Sequence, residues 1–458
     1  MTPSSPFLPD ETARRAIWWT ISAVFLSLAI GDNGNYSLQS LMWLSLAIAS
    51  AAWGTFAHRL IFDVGLNRVL VVACTVCGAL ALQSFLPAAA PFRALWLVGF
   101  LILAALLTLA VSFFASRGLG KVLFPLFLIA QLGIGVFTVQ GARDFEQKSP
   151  RFRLQARHDV QIFNREGVRL LLAGQNPYAA RMPNVMGRDM PFYPPGTTGK
   201  DGKLPFGYLY MPLGLFFMVP GYLLGDFRFA HVFALLGTAW FLASARPSKT
   251  AQLAATLFLL LPQTTFVLIM SWTEPIALFF LGATLWCFFR APRWLPVALG
   301  ALICAKQYTI FLLPLVPLLV PERAKWQPLM IKSLAVALLL TLPLALWNPD
   351  AFFRSAVQMQ FKQPFRADSL SYLVAILQLT GRQLSPLLGF AALLGGLFYG
   401  LRAPKTASHW AATGALAYLG FFALNKQAFG NYYFWVIGLL IAAVAVSSPA
   451  ANGNQELA

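Results

Sequence analysis

Apolar runs of about 15 to 22 residues recur along the whole chain. They fall first near 16–30, 38–57, 69–87, 94–115 and 121–141. After one long polar stretch they return near 206–224, 229–245, 250–269, 274–290, 294–320, 328–347, 383–401, 408–424 and 431–448. A hydrocarbon core of roughly 30 Å takes about 20 helical residues to cross. Lipid offers no partner to a backbone N–H or C=O, so helices are the expected form. The pattern predicts an all-α, polytopic transmembrane bundle of about 12–14 spans. Its divisions are a five-span region over 1–141, a polar extracytoplasmic loop over 142–205, a multi-span region over 206–450 and a polar tail over 451–458. No internal repeat is visible, which argues against an inverted-repeat transporter.

Within 142–205, the stretch from His158 to Leu172 has helical spacing. Val160, Phe163, Gly167, Leu170 and Leu171 share one face, and Arg165, Glu166 and Arg169 the other. Asp159 stands at the N-cap position and Gly174 suits C′. This predicts an amphipathic helix on the membrane surface, with Leu and Phe in the lipid boundary. A Pro-, Gly- and Tyr-rich stretch from Pro191 to Pro212 then returns the chain to the bilayer.

Composition narrows the class. Hydrophobic residues make up 58% and charged residues 11%, with mean hydropathy +0.66. Soluble domains carry about 25% charged residues, so a soluble enzyme, a disordered chain and a fibrous repeat are excluded. Net charge is +18, from 34 Lys and Arg against 16 Asp and Glu. In a soluble chain that balance suggests nucleic acid. Here the inside-positive bias of membrane loops and anionic lipid headgroups account for it, and no nucleic-acid partner is expected.

Arg14 and Arg15, Arg59 and Arg68, and Arg117 and Lys121 fall on alternate joints, while loop 31–37 has no Lys or Arg. This predicts a cytoplasmic N-terminus and an extracytoplasmic segment 142–205. That segment holds eleven Lys or Arg and six Asp or Glu. Beyond it, Arg246/Lys249, Arg290/Arg293, Arg323/Lys325 and Arg402/Lys405 cannot all be cytoplasmic under strict alternation. One element, 206–224 or the Pro- and Lys-interrupted 294–320, is therefore expected to be re-entrant, broken or split.

Cys74, Cys77, Cys287 and Cys304 lie in apolar runs, as small hydrophobes do. His231 and His409 are isolated, so no metal-ligand cluster is expected. A divalent ion held by Asp144, Glu146 or Asp159 lacks support from the sequence, and no cofactor is expected. The apolar stretch after Arg14-Arg15 is read as an uncleaved first helix.

The run Asp159…Gly174-Gln175-Asn176-Pro177-Tyr178, followed by Tyr210-Met211-Pro212, resembles the GT-C superfamily of integral-membrane glycosyltransferases. It is most similar to the bacterial polyprenol-phosphate-mannose-dependent mannosyltransferases. Lys306-Gln307-Tyr308, the Pro364–Ser371 stretch and the Asn425–Tyr433 stretch add to the likeness. The resemblance implies an inner-membrane enzyme that moves a sugar, mannose in that family, from a polyprenyl-phosphate donor to a glycolipid or cell-envelope glycan hydroxyl, with inversion. In that superfamily the acidic loop usually follows the first span, whereas five spans precede Asp159 here. Asp32, in Gly31-Asp-Asn-Gly-Asn35, is thus a rival for the acidic position.

Such chemistry needs a carboxylate to take the acceptor proton and cations to hold the departing phosphate. Asp159, beside His158, is the candidate base, with Asp144 and Glu146 as alternatives; an ordinary helix cap is the plain reading. Glu274 and Lys306 sit inside apolar stretches, where a charge is costly and usually functional. Lys306 is the candidate phosphate holder, and Glu274 either binds sugar hydroxyls, pairs with Lys306 or caps the helix that starts there. His158, Gln307, Lys426 and Arg366 are further candidates for phosphate or sugar contact. Tyr178 and Tyr210 either stack on a sugar or merely sit at the membrane interface. The competing function is a transporter or flippase for a lipid-linked or anionic substrate, which needs its ionisable groups at mid-membrane.

Overall fold

The computed structural model describes residues 9–57, 64–85, 119–148, 159–184, 193 and 196–447. The expected span 94–115, His158 and the tail 451–458 lie outside the described residues. Among the described residues the chain is helical, with two isolated β-bridges, Asn35 to Ser369 and Pro183 to Lys203.

The first helices are α1 (Pro9–Ala29), α2 (Leu38–Phe56), α3 (Leu66–Phe85), α4 (Leu119–Lys148) and α5 (Asp159–Leu172). Then come α6 (Pro212–Leu223), α7 (Arg228–Ala245), α8 (Lys249–Leu260), α9 (Pro262–Met270), α10 (Glu274–Arg290) and α11 (Leu295–Ala305). The last are α12 (Arg323–Trp347), α13 (Tyr372–Thr380), α14 (Leu387–Gly400), α15 (Ala407–Ala423) and α16 (Gly430–Ala445). Local chemistry sets their ends. Pro212, Pro262 and Pro275 occupy first turns, where a missing N–H costs nothing. Ser37, Ser248 and Thr406 accept backbone N–H bonds as N-caps. Gly381 closes α13 in the left-handed conformation at φ 68°.

The α16 helix is the core element. It is buried along almost its whole length and packs on α1, α8, α10 and α15. Helices α7, α10 and α11 extend the bundle to α12. Among the described residues, four helices are long and apolar enough to cross a membrane, over 66–83, 122–144, 228–245 and 323–347. The pair α8 and α9, bent by 49°, makes a fifth. Only 17% of the apolar window of α12 is buried, and Ile331, Leu338, Leu339 and Leu346 stand exposed on it. Such a surface would be costly in water and suits lipid. Shorter apolar helices, such as α16 with 16 residues, reach about 24 Å at 1.5 Å per residue.

Three local features bear on the sequence reading: the first and third depart from it, and the second is one of the breaks it allowed. The α4 helix runs on to Lys148, so the polar stretch from 142 begins inside a helix. Segment 294–320 is interrupted at Lys306, whose backbone is extended at φ −150° and ψ 156° before a 3-10 turn, Gln307–Leu315. The third is α5. Its apolar face does not lie in a lipid boundary but packs on α6 and segment 206–209. Gly167 permits the approach, since a Cβ there would sit 2.8 Å from Leu215 and 2.9 Å from Tyr208. The same face buries Asn164, whose amide donates to Ser271 O at 3.0 Å and accepts from the Tyr208 hydroxyl at 3.2 Å. Lipid could supply neither bond.

Candidate functional site

A cavity of about 1170 Å³ opens where the loops after α1, before α6, before α13 and before α16 meet. Its polar wall carries Asp159, Lys306, Arg366, Asp368 and Lys426. The lining also has an apolar part, with Ile310, Phe311, Phe361, Leu387, Phe390 and Phe421. Phe361 and Leu387 are 68% and 69% exposed, so this part reaches the protein surface.

Lys306 owes its position to the helix break. Freed from α11, it turns inward and is only 5% exposed. Its ammonium pairs with Glu274 Oε1. Three rings surround it, with centroids 5.3 Å away for Tyr308, 5.6 Å for Tyr210 and 5.8 Å for Tyr432. Each ring face attracts a cation, so the ammonium is held in place from several sides while it still borders the cavity. Glu274, at the first turn of α10, is fully buried. Its Oε1 also accepts from Tyr308 Oη at 3.1 Å and Asn431 Nδ2 at 3.0 Å. Its Oε2 has no hydrogen-bond partner among the described residues. Glu274 does not line the cavity; it stands one layer behind and pairs with Lys306, one of the roles the sequence left open for it.

Asp159 begins α5. The positive end of a helix favours a carboxylate there. Its Oδ1 accepts from Val160 N at 2.8 Å, and the Tyr193 hydroxyl stands 3.5 Å from Oδ2, long for an O–H···O bond. Burial pushes the Tyr193 hydroxyl well above a phenol's ordinary value, and the Asp159 charge adds to the shift. Asp159 also acts electrostatically on Tyr210 and Tyr432, two of the rings around Lys306. The charges of Asp159 and Lys306 thus both act on Tyr210 and Tyr432.

The other candidates divide. Gln307 lines the cavity and donates to Leu209 O at 2.6 Å and Ala356 O at 3.1 Å. Arg366 forks onto Asp368 at 2.8 and 2.6 Å and lies 4.8 Å over the Phe429 ring. Lys426 donates to Phe361 O at 2.7 Å and Gln363 O at 2.5 Å, and burial lowers its pKa. Tyr210 lines the cavity, but Tyr178 does not. Tyr178 is fully buried and donates to Tyr210 O at 2.8 Å. It supports the wall and cannot stack on a ligand, which corrects the expectation for it. Asp32 is exposed and outside the lining. Glu146 is occupied by Gln161, Arg165 and Arg228, and Asp144 does not reach the cavity. No three His, Cys, Asp or Glu among the described residues come together as a metal site.

The sequence reading passed over the amides. Asn33, Asn35, Asn431, Gln360 and Gln363 all line the cavity. The signal was present in Gly31-Asp-Asn-Gly-Asn35, a polar turn in a strongly apolar region. Comparison with models of known families, with curated proteins and with solved structures gives no match.

Proposed function

We propose that the chain is a glycosyltransferase of GT-C type, set in the bacterial inner membrane. It moves a hexose from a polyprenyl-phosphate donor to a hydroxyl of a glycolipid or cell-envelope glycan on the extracytoplasmic face. One observation carries the reading: Asp159 and three cationic side chains border a single hollow that is also lined by apolar side chains, of which Phe361 and Leu387 are exposed at the surface. A lipid phosphate needs both kinds of lining, grease for the chain and cations for the headgroup. In the reaction, Asp159 takes the acceptor proton as its oxygen attacks the anomeric carbon. The bond from that carbon to the phosphate oxygen breaks, and the electron pair leaves with the lipid phosphate. Lys306, preorganised by Glu274 and the three rings, stabilises the charge that develops there. Direct displacement inverts the anomeric centre.

The test uses full-length protein in lipid nanodiscs with radiolabelled polyprenyl-phosphate hexoses and extracted envelope acceptors. Label appearing in the acceptor fraction, and only with the lipid-linked donor, supports the reading. No transfer, together with movement of the lipid-linked sugar across proteoliposomes, hands the case to a flippase.

A further inference from the structure

The turn between α1 and α2 is held in a shape that few sequences adopt. Asn33 lies at φ +54° and Gly34 at φ +73°. The left-handed region disfavours residues with a side chain, although Asn tolerates it better than most. Only one other described non-glycine residue adopts it, Ser271, next to Trp272 on the cavity wall. Distant segments pin the turn. Gly430 N donates to Asn33 O at 2.8 Å, Leu370 N to Gly34 O at 2.9 Å and Tyr36 N to Asp368 O at 2.8 Å. Gly34 is so close to α16 that a Cβ would lie 2.4 Å from Gly430 N. All this fixes the backbone that presents Asn33 and Asn35 to the cavity. The Asn33 Oδ1 is buried without a partner among the described residues. An acceptor left unpaired in the interior is unfavourable, and strain of this kind gathers at ligand sites. Asn431, on the same wall, donates to Glu274 and so links the amides to the Lys306 cluster.

We propose that Asn33 and Asn35, with Asn431, form the subsite that reads an uncharged, hydroxyl-rich sugar ring. An amide offers both donors and an acceptor, which matches a ring of hydroxyls and gives a charged group no advantage. Asn33 Oδ1 accepts from one sugar hydroxyl, and Trp272 offers a flat apolar surface beside it. This rests on the reading of the cavity as a lipid-linked sugar site and adds which wall recognises the sugar.

The test compares two probes, a polyprenyl phosphate and the same lipid phosphate bearing a hexose, titrated calorimetrically into nanodisc-bound full-length protein. Asn33→Gly removes the amide and keeps the left-handed backbone free of strain; Asn35→Ala removes the second. Wild-type protein is expected to bind the sugar-bearing probe more tightly. The double variant should lose that advantage by about five- to tenfold, the worth of one or two hydrogen bonds, with sugar-free binding and melting temperature unchanged. An undiminished sugar advantage overturns the subsite alone. So does a parallel loss for both probes or a lowered melting temperature, since the turn would then be structural. Wild-type protein that binds neither probe overturns the transferase reading and the subsite with it.

Discussion

Two buried ion clusters in this molecule differ in what they leave unfinished. In the first, Arg228 at the head of α7 is fully buried and forks onto Asp226 at 2.9 and 2.7 Å. It also reaches Glu146 at 2.8 Å, and Glu146 takes further bonds from Gln161 and Arg165. Both oxygens of each carboxylate are engaged, and none of these residues borders the cavity. The cluster ties α4 and α5 to α7. In the second, Glu274 crowds three donors onto one oxygen and leaves the other bare among the described residues, while its cation Lys306 faces a hollow. A saturated network holds a fold; one whose cation borders open space is available to a ligand. Burial of charge alone does not separate the two, because either would be costly if unpaired.

The sharpest way to break this contrast is to remove one group from each side of it. Asp159→Asn keeps shape and removes the base. Transfer should fall by about 10²–10⁴-fold, with melting temperature unchanged. Full activity in the variant would remove Asp159 from the chemistry. Arg228→Met should do the reverse. Breaking a buried pair costs about 3–5 kcal/mol, so the melting temperature should drop steeply while the folded fraction keeps its affinity for polyprenyl phosphate. The loss should depend on pH. Burial works to raise the Asp226 carboxyl, but the hydrogen bonds and charge of Arg228 outweigh it and hold the group below its ordinary value of 3.8. A depressed carboxyl stabilises the fold above the unfolded pKa and loses that contribution as pH falls through the folded one. The gap in melting temperature between wild type and Arg228→Met should therefore narrow as pH drops from neutral to below 3.8. A constant gap would show that Arg228 acts through packing alone.

Much of the helical layout was legible, since apolar runs near 20 residues have few other outcomes. Of the residues singled out in the sequence, Asp159, Lys306, Gln307, Arg366 and Lys426 all line the cavity; Lys306 and Gln307 stand out as polar groups inside an apolar run, while the others lie in polar loops and were marked by the resemblance. What failed has a common cause. Periodicity marks the apolar face of α5 but not what covers it, and Gly167 with the Asn164 amide chose protein over lipid. Tyr178 and Tyr210 are chemically identical, and only the fold puts one behind the other. Asn33, Gln360 and Asn431 are neutral residues far apart in the chain, one in a turn and two in helices, and no local pattern reveals that they line one cavity.

A smaller effect separates the two roles of Lys306. Lys306→Met alone leaves Glu274 buried without its cation and should destabilise the protein, which confounds any binding measurement. Lys306→Met combined with Glu274→Gln replaces the ion pair by neutral groups of similar size, and such exchanges are often neutral in stability. The double variant should melt near wild type yet bind polyprenyl phosphate about ten- to a hundredfold more weakly, the worth of roughly 1.5–3 kcal/mol for a bond to a charged group. Unchanged affinity would make the second cluster as purely structural as the first.

The smallest effect tests how the ammonium is held. If the faces of Tyr210, Tyr308 and Tyr432 steady it, a ring suffices and a hydroxyl does not matter. Tyr432 is the cleanest probe, because Tyr308 also donates to Glu274 and the backbone of Tyr210 is tied to Tyr178. Tyr432→Phe should leave the affinity for polyprenyl phosphate within about twofold, since the face that attracts the cation remains. Tyr432→Leu should weaken it by about 0.5–1 kcal/mol, or two- to fivefold. Equal losses in both variants would mean that the hydroxyl bonds the ligand directly, and Lys306 would then depend on Glu274 rather than on the rings for its position.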